Sequence, residues 1–216
     1  MKHFSTFLCL LTLTALLFGG CATKPTLTGP PCKNTPEFDG HWYNSDHVYQ
    51  MRHEGVLQFG DMTIPMTGLM KLDTKNGSAR IAILTSMGIK LLVLDLTKED
   101  HEFLYTSPAA DKIPGFKKGA VRAIRTVFLD SFPESQDSCF EVDTVQEYIE
   151  KKPGGSVIFQ MDSETWDLYS KSTKDWNVTY GEGIEAANAR LPSEIKYEDQ
   201  RGRFSITLKL ISAKQQ

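Results

Sequence analysis

"MTIPMTGLMKLDTKNGSARIAILT", residues 62 to 85, sets the frame for the rest of the chain. Its two halves meet at Asn76-Gly77, the strongest short hairpin signal, because both residues tolerate the left-handed backbone of a tight turn. Met62, Ile64, Met66, Met70 and Leu72 recur at even spacing in the first half, and Ile81 and Ile83 do the same in the second. A period of two puts such residues on one side of a pleated strand. The direct inference is an antiparallel pair with one apolar and one wet face.

Strands continue outward. "GIKLLVLDL" (88–96) carries Leu92 and Leu94, and "HEFLYTSP" (101–108) follows it. Further along, "GSVIFQMD" (155–162) contributes Phe159, and "ETWDLYSKS" (164–172) contributes Trp166 and Leu168. "DWNVTYGEG" (175–183) and "PSEIKYED" (192–199) precede "GRFSITLKLIS" (202–212), where Phe204, Ile206 and Leu208 alternate cleanly with Ser205, Thr207 and Lys209.

One strong helix interrupts the strands. In "PGFKKGAVRAIRTVFLDSFP" (114–133), Phe116, Ala120, Ile124, Val127 and Phe128 recur at helical spacing, the basic residues lie elsewhere, and prolines bracket both ends. A helix of about 17 residues cannot cover nine or ten flat strands, so the sheet must curl. The expected fold is mainly β with α: an antiparallel sheet curled into a half-barrel whose apolar concave face is covered by one or more helices. "CFEVDTVQEYIEKK" (139–152) fits a short helix almost as well as a strand, since Val142, Val145, Tyr148 and Ile149 satisfy both periods.

The chain opens "MKHFSTFLCLLTLTALLFGGCATKP". Lys2, an uncharged run from Phe4 to Phe18 and a small-residue end have the order of a secretory signal, and the run is too short to span about 30 Å of hydrocarbon. It resembles a bacterial lipoprotein signal, which implies cleavage after residue 20 and acylation of Cys21; the residues alone also fit an ordinary cleaved signal or a short membrane anchor. Two or more acyl chains hold a protein at a membrane where one barely does. In lipoprotein sorting an Asp after the acylated cysteine signals inner-membrane retention. Ala22 stands there, so the expected location is the outer membrane, lipid-anchored and facing the periplasm. The segment "ATKPTLTGPPCKNTP" (22–36) has the Thr/Pro composition of an extended tether. The division is a signal over 1–20, a lipidated terminus and tether over 21–45, and one domain over 46–216.

The formal net charge is −3, with no basic stripe to suggest nucleic acid. With Cys9 removed and Cys21 acylated, Cys32 and Cys139 remain in an oxidising compartment. A disulfide between them is the leading reading, beside two buried thiols or one reactive thiol. His41, His47 and His53 recur every six residues, about 20 Å apart along a strand and too far for a shared metal. No nucleophile elbow, paired-cysteine redox motif or phosphate loop occurs. Neither a catalytic residue nor a cofactor is expected.

The loop "TSMG" (85–88) between apolar strands, the basic amphipathic helix after "KIPG" (112–115) and the close "DWNVTYGEGIEAANARLPSEIKYEDQRGRFSITLKL" (175–210) resemble the LolB-like outer-membrane lipoproteins of the LolA/LolB superfamily. That group comprises the lipoprotein receptors and less characterised relatives. The likeness covers the pattern of residues 47 to 211, but the segment 133–155 has no counterpart in it. It implies a monomer that binds acyl chains of lipoproteins or lipids in a hydrophobic half-barrel cavity and inserts them into the outer membrane. A LolA-like periplasmic carrier is the implied donor. By position Met87 matches the family's exposed membrane-insertion residue; the residues alone equally allow it to fold back onto the domain or pack on the helix. The implied lining is Met66, Met70, Ile81, Ile83, Leu92 and Leu94 from the first strands, and Ile124, Val127 and Phe128 from the helix. Phe159, Trp166, Leu168, Phe204, Ile206 and Leu208 complete it from the later strands. The alternative is a non-catalytic envelope scaffold of the same fold, acting on another lipid or a protein partner.

Overall fold

A computed structural model describes residues 29–32, 41–200 and 204–216. The expected signal and Cys21 lie outside the described residues. The strands are β1 (Val48–Phe59), β2 (Met62–Asp73), β3 (Ser78–Thr85), β4 (Lys90–Thr97) and β5 (His101–Thr106). They continue as β6 (Ser138–Val142), β7 (Val145–Lys152), β8 (Gly155–Asp162), β9 (Leu168–Ser172) and β10 (Trp176–Tyr180). The last four are β11 (Gly183–Ala186), β12 (Ala189–Pro192), β13 (Glu194–Asp199) and β14 (Phe204–Gln215). Two helices, α1 (Pro108–Asp111) and α2 (Phe116–Phe128), sit between β5 and β6.

Twelve strands form one antiparallel sheet in the order β5-β4-β3-β2-β1-β14-β13-β10-β9-β8-β7-β6, and β11 and β12 form a separate hairpin. The sheet curls without closing, so it is a half-barrel. Part of the curl has a local cause. Bulges interrupt the register where β1 meets β14 (Arg52/His53), where β3 meets β4 (Ile83/Leu84), at β4/β5 (Val93/Leu94) and at β8/β9 (Gln160/Met161). An extra residue in one strand bends it and sharpens the right-handed twist.

Alternation fixes which face is concave. Tyr49, Met51, His53 and Leu57 on β1, Met66, Met70 and Leu72 on β2, and Phe204, Ile206 and Leu210 on β14 are buried, while their neighbours are more exposed. Helix α2 buries Phe116, Ala120, Ile124, Val127 and Phe128 against this face and leaves Lys117, Lys118 and Arg122 in solvent. Gly119 is where the helix comes down hardest: a Cβ there would stand 2.7 Å from the Phe204 ring.

Several expectations need correction. The helix is 13 residues, because Leu129 leaves helical geometry and the chain turns through Ser131 at φ +48° before Pro133. The ambiguous 139–152 region is strand, the β6/β7 hairpin, since pairing with β8 satisfies its backbone and buries Gln146 and Tyr148. Residues 133–155 thus extend the sheet at one edge. The turn after β2 is a four-residue loop, with Asp73 opposite Ser78; the Asp73 carboxylate accepts from the Asn76 amide at 2.9 Å, and only Gly77 adopts a positive φ. Trp166 sits in the turn between β8 and β9 at φ +60°, outside any strand. The span expected for the tether, 21–45, overlaps the core at its end. Trp42 and Tyr43 are buried, and Trp42 packs edge-on to Phe128 and Phe132. Two large aromatic rings gain too much from burial to remain in a solvated leash.

Candidate functional site: the concave face beneath helix α2

The site begins with what α2 covers. Met66 and Met70 on β2, Ile81 and Ile83 on β3, and Ile206 and Leu208 on β14 face Ile124 and Phe128 of the helix. Together with His53 and Gly68 they border a void of about 30 Å³. Gly68 creates much of that space. It stands opposite His53 in the β1/β2 register, and a Cβ placed on it would meet only the His53 Cβ, at 4.0 Å.

The other residues expected to line a cavity are placed differently. Leu92, Leu94, Val127, Phe159, Leu168 and Phe204 are buried core that does not border this void, and Trp166 is only half-buried. Tight packing explains the difference: Phe204 is pressed against α2, and Tyr197 and Phe59 stack edge-on against it. His53 and Gly68 were not among the expected lining residues. The inward alternation of Tyr49, Met51 and His53 carried the signal for the histidine.

His53 is the one titratable side chain at the void. Burial drives its imidazole down to about 4, because a charged ring there would lose its water without gaining a carboxylate. Its ring centroid lies 6.0 Å from that of Phe128.

Polar bonds hold the lid at one end. Near the C-terminus of α2, Tyr180 Oη donates to the Val127 carbonyl at 2.9 Å. Arg125 donates to the carbonyls of Thr97 and Asp100, each at 2.9 Å. Lys171, fully buried on β9, donates to the carbonyls of Asp130 (2.7 Å) and Ser131 (3.2 Å) and lies 4.0 Å from the centre of the Phe132 ring. Burial pulls the Lys171 ammonium well below its ordinary range, and the Asp130 carboxylate opposes that pull. At the N-terminus, Gly115 caps without a side-chain hydrogen bond, and the nearest ion pair, Lys117–Asp111 at 2.8 Å, is exposed. The N-terminal end rests on apolar contacts with Phe59 and Phe204 and on the exposed Lys117, whose ammonium lies 5.6 Å from the centre of the Phe103 ring.

That lightly held end shares a rim with Met87. β1 ends at Phe59, β2 begins at Met62, β3 ends at Thr85, β4 begins at Lys90 and β14 begins at Phe204, all on one side of the sheet. Met87 is 79% exposed and Ile89 56%. The turn is tied down beneath them: Thr85 pairs through its backbone with Ile89 (2.8 Å) and Gly88 (2.9 Å), and its hydroxyl accepts from the Ile89 amide at 3.1 Å. Gly88 supplies the left-handed residue at φ +79°. Thr85 thus projects Met87 away from the body.

Cys32 and Cys139 are bonded, with Cα atoms 5.4 Å apart. Beside the bond the Glu141 amide donates to the Pro30 carbonyl at 2.9 Å, and Pro31 bridges to Phe140. Residues 30 to 32 thereby cover the β6 edge of the sheet. Among the described residues no cluster of His, Cys, Asp or Glu is arranged to hold a metal, and no helix is long and apolar enough to cross a membrane.

No protein-family model matches the chain, and no curated protein matches it. Among solved structures it is similar to a LolA superfamily protein from Nitrosomonas europaea, at 9% identity and TM-score 0.47, covering 78% of this chain and 86% of that one. It is also similar to an outer membrane lipoprotein-sorting protein domain from Vibrio parahaemolyticus (8% identity, TM-score 0.42, 78% and 85% coverage). A DUF1329 family protein from Desulfovibrio piger gives 8% identity, TM-score 0.41 and the same coverage. The half-barrel assignment stands on this chain's own strand order and register.

Proposed function

We propose that this protein is a non-catalytic, monomeric carrier that takes an acyl chain of a lipid or lipoprotein beneath α2 and passes it to a membrane. In this reading Cys21 anchors it by acylation to the inner leaflet of the outer membrane, a LolA-like carrier is its donor, and Met87 enters the hydrocarbon during transfer. The observation that carries the reading is the lid: an apolar, Met-containing concave face under a helix whose buried hydrogen bond and arginine anchors sit near its C-terminal end. Methionines repack readily around variable shapes.

The void of about 30 Å³ is far below the roughly 300 Å³ of a small ligand pocket. Acyl binding therefore requires the N-terminal end of α2 to lift, parting Gly119 from Phe204 and Gly115 from Phe59. The same filled interior favours a second reading, a scaffold lipoprotein that binds a partner on its outside. Lipid extraction and native mass spectrometry of the purified protein separate the two. Co-purifying acyl lipid is the expected result; a protein that is empty and takes up nothing from liposomes would sink the carrier reading.

A further inference from the structure

The outer face of the sheet has a groove that the lid does not touch. Across β1 to β4 the register aligns Arg52, Leu69, Ala82 and Val93 in one row, and Gln50, Lys71, Arg80 and Asp95 in the next. Both rows point away from the concave face. A cleft of about 510 Å³ runs over them and onto β14 at Ser212 and Lys214. It lies beside the β1/β14 register shift at Arg52/His53, where a bulge bends the strand and increases its twist.

Composition and charge define what fits. Leu69, 46% exposed, forms the floor with the half-buried Ala82 and Val93. Two rim cations are already neutralised: Arg52 pairs with Glu54 at 2.9 Å, and Arg80 bonds Asp95 through Nε at 2.6 Å. Lys71 and Lys214 are exposed and make no ion pair among the described residues. The groove therefore joins an aliphatic floor to a net positive rim and stays open to solvent along its length. A peptide strand is disfavoured, because β1, β2 and β3 are paired on both sides and offer no free backbone groups for strand addition.

We propose that this groove is a second binding site, for a single-tailed anionic amphiphile whose alkyl chain lies along Leu69, Ala82 and Val93 with its carboxylate or phosphate head between Lys71 and Lys214. It is independent of the acyl site beneath α2. The test uses the purified protein with labelled Ile, Leu and Val methyl groups, titrated with dodecanoate, dodecyl phosphate and neutral dodecanol. One or both anions should shift the Leu69 and Val93 methyls saturably while Ile81, Ile83 and Ile124 stay unmoved. The double variant Lys71→Glu/Lys214→Glu should weaken anion binding at least about tenfold, as reversing two exposed charges allows, and leave dodecanol within about twofold of its wild-type affinity. Ala82→Phe, which fills the floor, should abolish binding of all three. The proposal is overturned if no anion binds, if dodecanol binds as tightly as either anion, if the double variant binds anions normally, or if the shifts fall on Ile81, Ile83 and Ile124, which would place the ligand under the lid instead.

Discussion

His53 and Phe128 face each other across the void, their ring centroids 6.0 Å apart, so the lid helix rests on a histidine held neutral by its surroundings. The linkage has a definite sign. The folded imidazole titrates near 4 and the unfolded one near 6.5, so the folded state gives up stability as pH falls from 6.5 through 4 and keeps all of it above 6.5. That difference amounts to on the order of 3 kcal/mol between pH 7 and pH 4. Urea denaturation of wild type and His53→Leu at both pH values should show the wild type losing that much more than the variant. Parallel losses in the two would refute the buried-neutral assignment.

Gly119 and Phe204 offer a lock for the lid. A Cβ at position 119 would lie 3.2 Å from Phe204 Cγ, within reach of disulfide geometry for a pair of cysteines. Oxidised Gly119→Cys/Phe204→Cys should fold and should lose uptake of acyl lipid from liposomes, while each single variant retains it. Normal uptake by the locked protein would mean that lipid does not enter beneath α2.

Lys171→Met should be costly. Methionine fills the volume but leaves the Asp130 and Ser131 carbonyls without their donor and removes the strongest of the four positive charges that act on the Asp130 carboxylate. We expect a loss of about 2 to 4 kcal/mol by chemical denaturation. A loss under about 0.5 kcal/mol would show that water replaces the ammonium without penalty.

Two glycines should respond with opposite sign to the same substitution. Gly119→Ala gains helix propensity worth up to about 1 kcal/mol, but its methyl would sit 2.7 Å from a buried ring, so we expect a net loss of about 1 to 2 kcal/mol. Gly68→Ala meets nothing closer than 4.0 Å and reaches into the void. It should raise the melting temperature, and equal effects of the two changes would contradict the packing described here.

Met87→Glu should leave the melting temperature unchanged, because the side chain is in solvent and Thr85 holds the turn. Burying this thioether in hydrocarbon is worth about 1.5 to 3 kcal/mol, and the charge forfeits it. Delivery of bound lipid to liposomes should slow by an order of magnitude or more; an unchanged rate would remove the loop from the transfer step.

Much of the half-barrel could be read directly because alternation survives wherever one strand face is wet, as in β2, β3 and β14. Pro114 marked the start of the helix, whereas its end at Phe128 comes before Pro133 and was not legible from the proline. Strand β1 was harder to see, since Arg52, Glu54 and Gly55 interrupt its apolar run and its inward positions include a histidine. The β6/β7 hairpin was ambiguous because Val142, Val145, Tyr148 and Ile149 satisfy both periods, and only pairing with β8 decides between them. Lys171 gave no signal at all: "LYSKS" reads as a polar strand, and its burial depends on carbonyls about forty residues away. The outer groove depends on cross-strand register and bulges, which no single stretch encodes.

The bond at Cys139 also closes a large covalent ring. Its two sulfurs come from residues 107 positions apart, and the ring they close carries β1 to β5 and both helices. In the chain-entropy model a ring of that size removes about 4 to 5 kcal/mol of conformational freedom from the unfolded chain. Reduction therefore weakens strands that lie far from either cysteine.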